Sequence, residues 1–379
     1  MRFQVLDIAF NPPHPVTGEQ VPPADRLNRI VDTAVLAEEL GFDSFAVGER
    51  HAGPVLSSAP TVILGAIAAR TSRILLSTGV TVLSLHDPIR LAEDLSTVDQ
   101  LSRGRLEFGI GRGVQQQEFD SFNLPMAESR EMFEEALEVV LGAWREQGYS
   151  HHGRYYQFDN VRIEPRLVQQ PHPPLVFTAT SPPSLEWAGR RGLRIATILA
   201  PLEALAHGRA LYREHRRAAG HPDVRDDYLP FRHVYIADTD AAARAVAEPA
   251  LHRYFELFGH VAYPAPGRTL PRGYEYYEGR FAMLAAQTYD SMDAKAQFLI
   301  GSPETVARRL QEHLDTLDTD CFMGIFSFGT LTHAQVVESM RRFAEEVVPR
   351  VVAPSDRHGP AGGQPVVASE PATVRTTDG

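Results

Sequence analysis

Two short stretches of the sequence deliver proton-bearing or anion-gripping side chains immediately after apolar runs. The first, Ala46-Val47-Gly48-Glu49-Arg50-His51-Ala52-Gly53, brings a carboxyl, a guanidinium and an imidazole together. An imidazole exchanges protons near neutral pH, and an adjacent acid and base bias its charge. The same residue types also suit a plain Glu49–Arg50 ion pair that ties loops, with His51 bonded to backbone. The second stretch is Phe108-Gly109-Ile110-Gly111-Arg112-Gly113. Its glycines let a ligand approach the backbone, and Arg112 can grip a phosphate through paired hydrogen bonds. It is not a dinucleotide fingerprint: Val114 stands where the last glycine belongs, and Gln115-Gln116-Gln117-Glu118 reads as a polar loop rather than a helix start. A third stretch, Thr178-Ala179-Thr180-Ser181-Pro182-Pro183-Ser184, leads hydroxyls into a helix start whose N–H groups and dipole suit an anion. Taken alone, Ser181 is equally an ordinary N-cap. Thr78-Gly79-Val80-Thr81-Val82-Leu83 offers a flat apolar bed for a planar ring, or simply a buried strand.

These stretches must be positioned by a regular frame. Short runs rich in Val, Ile and Phe alternate with amphipathic segments, the pattern of repeated βα units. Strands are predicted at 3–9, 42–47, 73–82, 105–111, 175–179, 194–198, 231–236 and 321–326. Helices are predicted at 25–40, 60–71, from Asp87-Pro88, 127–147, 183–191, 202–219, 240–258, 302–315 and 333–347. Eight strands, each followed by a helix, predict an α/β fold, a (β/α)8 TIM barrel with insertions, whose chemistry gathers at the carboxyl ends of the strands. The fourth and fifth strands are then neighbours, so Arg112 and Ser181 could hold one phosphate. The stretch 149–174 loses periodicity and reads as an ordered connecting loop. Residues 259–290, with several prolines and five tyrosines, are too long to be an inert connection in a compact domain. The expected organisation is a single barrel over 1–353 and a flexible tail over 354–379.

Bulk properties narrow the partners. A net charge of −11 and an isoelectric point near 5.8 disfavour nucleic acid and anionic membranes. No stretch approaches the length of a membrane span, and MRFQVLDIAF lacks the features of a leader, so a cytoplasmic protein is expected. Cys321 is the single cysteine, and the fifteen histidines show no HExxH or similar spacing, so no metal is expected. Trp144 and Trp187 are expected in the core rather than in a pocket.

The stretches GFDSFAVGERHAG, LLSTGVTVLSLHDPIRLAEDLSTVDQLSRGRLEFGIGRG, TATSPPSLEWAGRRG, GSPETVARRL and SMRRFAEEVVP resemble, collinearly from about Phe3 to Pro349, the bacterial-luciferase-like flavin-dependent monooxygenases. The resemblance implies a luciferase-like barrel that takes reduced FMN from a separate NAD(P)H-dependent flavin reductase. With O2, such enzymes form a C4a-(hydro)peroxyflavin that oxidises a small organic substrate. It implies that Arg112 and Ser181 hold the FMN phosphate with help from Ser184, and that Gly79-Val80 is a non-proline cis peptide or bulge under the ring. It also implies that Gly111, a cysteine in luciferase, leaves room beside that ring. Glu49 and His51 match two members of a Glu-His-His motif, while Arg50 replaces the first His. A guanidinium does not shuttle protons near neutral pH, which sets this chain apart from light emission but not from oxygenation. The resemblance further implies a homodimer and a lid over 259–290 that excludes water. Two alternatives share the barrel: an F420-dependent hydride-transfer oxidoreductase, and a non-catalytic flavin-binding partner subunit.

Overall fold

The computed structural model describes residues 1–51, 53–198, 200–262 and 269–358. Its centre is a closed ring of eight parallel strands: β1 (Arg2–Asp7), β2 (Ser44–Val47), β3 (Leu75–Thr78), β4 (Leu106–Gly111), β5 (Leu175–Thr178), β6 (Arg194–Ile198), β7 (Tyr228–Ile236) and β8 (Cys321–Ile325). Each strand pairs with the next in sequence, and β8 closes on β1, with Val5 opposite Gly324. The registers bring the carboxyl ends level. Asp7 faces Val47, Val47 faces Thr78, and Thr178 faces Ala196. The residues following β2, β3, β4 and β5 therefore share one rim, as the TIM-barrel expectation requires.

Helices cover the outside: α1 (Pro23–Glu39), α2 (Pro60–Arg70), α3 (Pro88–Ser102), α4 (Ser129–Arg145), α5 (Pro182–Arg190), α6 (Leu202–Ala218), α7 (Asp240–Ala262), α8 (Pro303–Leu317) and α9 (His333–Arg342). Their starts follow local rules. The Asp87 side chain caps α3 by accepting from Arg90 N, with Pro88 in the first turn, and Ser302 caps α8 through Thr305 N. Thr332 and Gln335 form a capping box at α9. Between strands and helices lies an apolar layer that includes Phe42, Phe326 and Phe343 in mutual ring contact. Both tryptophans are buried there. Trp144 Nε1 donates to Ala92 O at 3.1 Å and to Ser96 Oγ at 3.0 Å.

The amino end of the barrel is closed by charge. Glu107, on β4, is 1% exposed and accepts from Arg2 Nη2 at 3.1 Å, Arg194 Nη1 at 2.9 Å and Ser44 Oγ at 3.0 Å. Burial alone would raise its carboxyl; the charges of Arg194 and Arg2, with the Ser44 and Arg194 hydrogen bonds, hold it below the usual range.

Several segments depart from the sequence reading. The third strand ends at Thr78, and only Thr81-Val82 rejoins the sheet, against Ile110 and Gly111. The stretch expected as a connecting loop holds an antiparallel hairpin, Tyr149–His152 with Gln157–Val161. Its residues are mostly polar and partly exposed on both faces, so no alternating apolar face marked it. An additional strand, Phe298–Gly301, pairs with the end of β7 outside the ring. Gln115-Gln116-Gln117-Glu118 is no loop: a short helix runs from Gln116 to Ser121, with Glu118 and Phe119 buried. The expected flexible tail begins instead with a helical turn, Pro354–His358. There Ser355 N donates to Asp320 Oδ1 and Arg357 pairs with Asp315. Residues 359–379 lie outside the described residues, as do Tyr263 to Arg268 of the expected lid. Among the described residues no helix is long and apolar enough to cross a membrane.

Candidate active site

A cavity of about 460 Å³ opens at the carboxyl ends of the strands. Glu49, Arg50, Gly79, Val80, Gly111, Arg112 and Ser184 line it, together with Tyr276 and Tyr277 of the long segment after α7. Ser181 and His51 stand just behind its wall.

Glu49 is 3% exposed and is held from three directions. Its Oε1 lies 2.7 Å from His51 Nε2 and 2.8 Å from His86 Nε2, and its Oε2 accepts from Val82 N at 2.9 Å. Burial favours the neutral acid. The His51 and His86 hydrogen bonds, the charge of His86 and the Val82 amide outweigh it, so the carboxyl sits below its usual range. For His86 burial opposes charge, but the Glu49 hydrogen bond and charge, aided by Asp94, push the imidazole up. The Glu49–Arg50 ion pair allowed by the sequence is thus replaced by a carboxylate between two histidines. His86, just before the Asp87-Pro88 cap, escaped the sequence reading, although its place after the third strand puts it on the same rim.

Arg50 points the other way, into the cavity. Its Nη1 donates to Gln115 at 2.7 Å when that amide is turned to satisfy both neighbours, and Gln115 then donates to Glu118 Oε1 at 3.2 Å. Glu118 Oε1 also accepts from His51 N at 3.0 Å. Arg50 also stands near Tyr254, whose hydroxyl is pushed up by burial against the opposing charge of Arg50. Gln115 and Glu118, unmarked in the sequence, thereby fix the orientation of the Glu49-Arg50-His51 turn.

The far end of the cavity concentrates cations and hydroxyls. Arg112 Nη2 donates to Gly273 O at 2.9 Å, and its guanidinium lies 4.0 Å from the Tyr274 ring centre. Tyr274 OH bonds Ser129 Oγ at 2.8 Å and Gly113 O at 2.9 Å. Burial and then the like charge of Arg112 lower the pKa of half-buried Arg130, so two guanidiniums share one field beside this wall. Ser181 does not cap α5. Its Oγ donates to Ser184 Oγ at 2.9 Å. The expected free amides are fewer than supposed: Pro182 and Pro183 have none, and Ser184 N and Leu185 N both donate to Ser181 O. What remains for an anion is hydroxyl and guanidinium chemistry, with Thr180 Oγ1 and Tyr277 OH 3.3 Å apart beside it.

Between these ends the Gly79–Val80 peptide is cis. A Cβ at Gly79 would sit 2.7 Å from Leu6 Cδ1 and 3.0 Å from Ala46 Cβ, so a larger residue there requires Leu6 to shift. Gly111 does not open space beside the bed, contrary to expectation. A Cβ there would meet Val80 Cγ2 at 2.5 Å, because the Thr81-Val82 pairing carries the Val80 methyl into that position. The donor set fits FMN in kind: Arg112, Thr180 and Ser184 are groups that would hold a phosphate, and Gly79-Val80 offers a flat apolar bed for a ring. Among the described residues no group of three or more His, Cys, Asp or Glu has the arrangement of a metal site.

A profile described as luciferase-like monooxygenase matches residues 1–320, and the chain belongs to that family. A curated relative, the alkanal monooxygenase alpha chain of Aliivibrio fischeri, is 26% identical over 325 residues, 83% of this chain and 90% of that one. The monooxygenase RslO1 of Streptomyces bottropensis superposes with a TM-score of 0.78 at 27% identity, covering 92% of this chain and 99% of that one. At lower identity the fold alone is shared. The FMN-bound oxygenating constituent of 3,6-diketocamphane monooxygenase from Pseudomonas putida has 20% identity and a TM-score of 0.76, covering 93% and 99%. An F420-dependent secondary alcohol dehydrogenase has 19% identity and a TM-score of 0.70, also covering 93% and 99%.

Proposed function

We propose that this protein is the oxygenase of a two-component system, taking reduced FMN from an NAD(P)H-dependent flavin reductase and using O2 to oxidise a small organic substrate. The observation that carries this reading is a single cavity joining the Arg112, Thr180 and Ser184 donors to the Gly79-Val80 bed. Arg112 and Ser184 hold the phosphate, Ser181 orients Ser184, and Gly79, Val80 and Gly111 support the ring. Bound reduced flavin supplies the electrons that activate O2. Arg50 faces the reacting centre, where its guanidinium donates hydrogen bonds to negative charge without giving up its own proton. Glu49 and His51, with His86, act as positioning residues that fix this turn. The segment from Gly273 to Gln287 closes the mouth and keeps water out.

The test combines FMN, a generic flavin reductase, NADH and candidate substrates under 18O2, with mass spectrometry of products. Micromolar FMN binding and one oxygen atom gained from O2 are expected. Tight F420 binding with hydride transfer and no O2 consumption rejects the oxygenase reading. FMN binding with no 18O gained by any product, and O2 uptake no different from that of free reduced FMN, points to the non-catalytic subunit.

A further inference from the structure

The protein as a whole is acidic, with a net charge of −11, yet its cavity is cationic. Among the described residues the ionic side chains lining it are Arg50, Arg112, Arg280 and Lys295 against Glu49 alone. Glu49 is already engaged by His51, His86 and the Val82 amide. A flavin phosphate engages Arg112, at one end. Lys295 lines the same cavity, as do Ala200, Pro201 and Ala204 after β6, and it is the only lysine in the sequence.

Lys295 is exposed, but its backbone is fixed. It caps the short helix Tyr289–Ala294, and its carbonyl accepts from Leu202 N at 3.1 Å. The acidic residues closest to it in the chain are occupied: Asp293 by Arg309 at 2.5 Å and Asp290 by Arg244 at 2.7 Å. Beside it the segment over the mouth turns Arg280, Met283, Leu284 and Gln287 to the cavity, the spacing of one helical face. Arg280 is held by Tyr276, its guanidinium 3.8 Å from the ring centre and its Nε donating to Tyr276 O at 2.6 Å. Met283 is 67% exposed at this mouth, and Phe231 and Met323 add apolar surface deeper in. Apolar side chains and an ammonium group thus line the same cavity.

Covering an ammonium that has no counter-charge is costly, and an anion delivered by the ligand offsets that cost. Resting on the flavin-oxygenase reading, we propose that the substrate is an amphipathic carboxylate, an apolar body bearing one negative charge, and that Lys295 recognises that charge. A neutral molecule of the same shape gains the apolar contacts but leaves Lys295 desolvated and unpaired.

The test uses the FMN-saturated full chain and matched acids and primary amides: phenylacetate and phenylacetamide, 1-naphthylacetate and 1-naphthylacetamide, octanoate and octanamide. Calorimetric titration at low and high salt should show at least one acid binding tenfold or more tightly than its amide, with the preference falling as salt rises. Lys295→Gln should abolish that preference while leaving amide and FMN affinities within twofold, and Lys295→Arg should keep it. Equal or tighter binding of the amides, an acid preference that survives Lys295→Gln, or no binding by any acid to the FMN-loaded protein overturns the proposal. Failure of FMN itself to bind sinks the flavin reading instead, and is seen before any acid is added.

Discussion

Two of the buried carboxylates of the barrel, Glu107 near its amino end and Glu49 at its mouth, are held by opposite strategies. Glu107 at the floor is gripped by Arg2 and Arg194, whose charges do not titrate in any physiological range. Glu49 at the mouth is gripped by His51 and His86, whose ring type titrates near neutrality. Both carboxyls are held below their usual range against the burial that would raise them. The Glu107 cluster therefore stays in one charge state, whereas the Glu49 cluster can change its own through His86. A permanent ion pair suits closure of the barrel, and an adjustable one suits a site that must accommodate charge appearing during a reaction.

Replacing each carboxylate separates the two strategies. Glu107→Leu strips the buried Arg194 guanidinium of its carboxylate and leaves Arg2 with Asp226, and should lower the unfolding free energy by about 3–5 kcal/mol, read by chemical denaturation. Arg112→Ala should weaken FMN binding by roughly 30- to 100-fold, read by flavin fluorescence titration, with the denaturation midpoint nearly unchanged. Glu49→Gln should cost about 1–3 kcal/mol of stability, less than the floor substitution, because His86, raised by its Glu49 contact, can shed its charge. If Glu49→Gln costs more than Glu107→Leu, the mouth is the structural keystone and the comparison is inverted.

The smallest effect is the most diagnostic, since it lies in pH dependence. His86 is raised from 6.5, so its contribution is complete below that value and is lost as pH climbs through the raised one. Glu49 is lowered from 4.5, so its contribution is present above that value and is lost as pH falls through the lowered one. The stability gap between wild type and Glu49→Gln should thus be widest between about pH 4.5 and 6.5 and narrow on both sides. The Glu107→Leu gap should persist on the alkaline side up to pH 9. Two parallel profiles above neutrality would erase the distinction.

The eight strands were legible because each is a compact run of Val, Ile, Leu or Phe ended by a turn signal. The strand Phe298–Gly301 was not, since four residues paired only to the tip of β7 leave too short a pattern. Within the site, Glu49, Arg50 and Arg112 announced themselves as polar groups arriving at strand ends. His86, Gln115, Glu118 and Arg130 did not, because their meaning comes from contacts made in space: His86 meets Glu49 across 37 positions, and Glu118 meets His51 across 67. Gly111 misled for a related reason. A missing side chain reads as space, and only the packing shows that Val80 fills it.

Arginine supplies every other strongly basic side chain of this sequence, which leaves Lys295 a chemical singularity. An amine-selective reagent meets no other lysine side chain in this sequence, and a lysine-specific protease has one bond in it to cut. The cavity thus carries a built-in attachment point, where a dye or spin label can test the proposed closure of its mouth without any engineered residue.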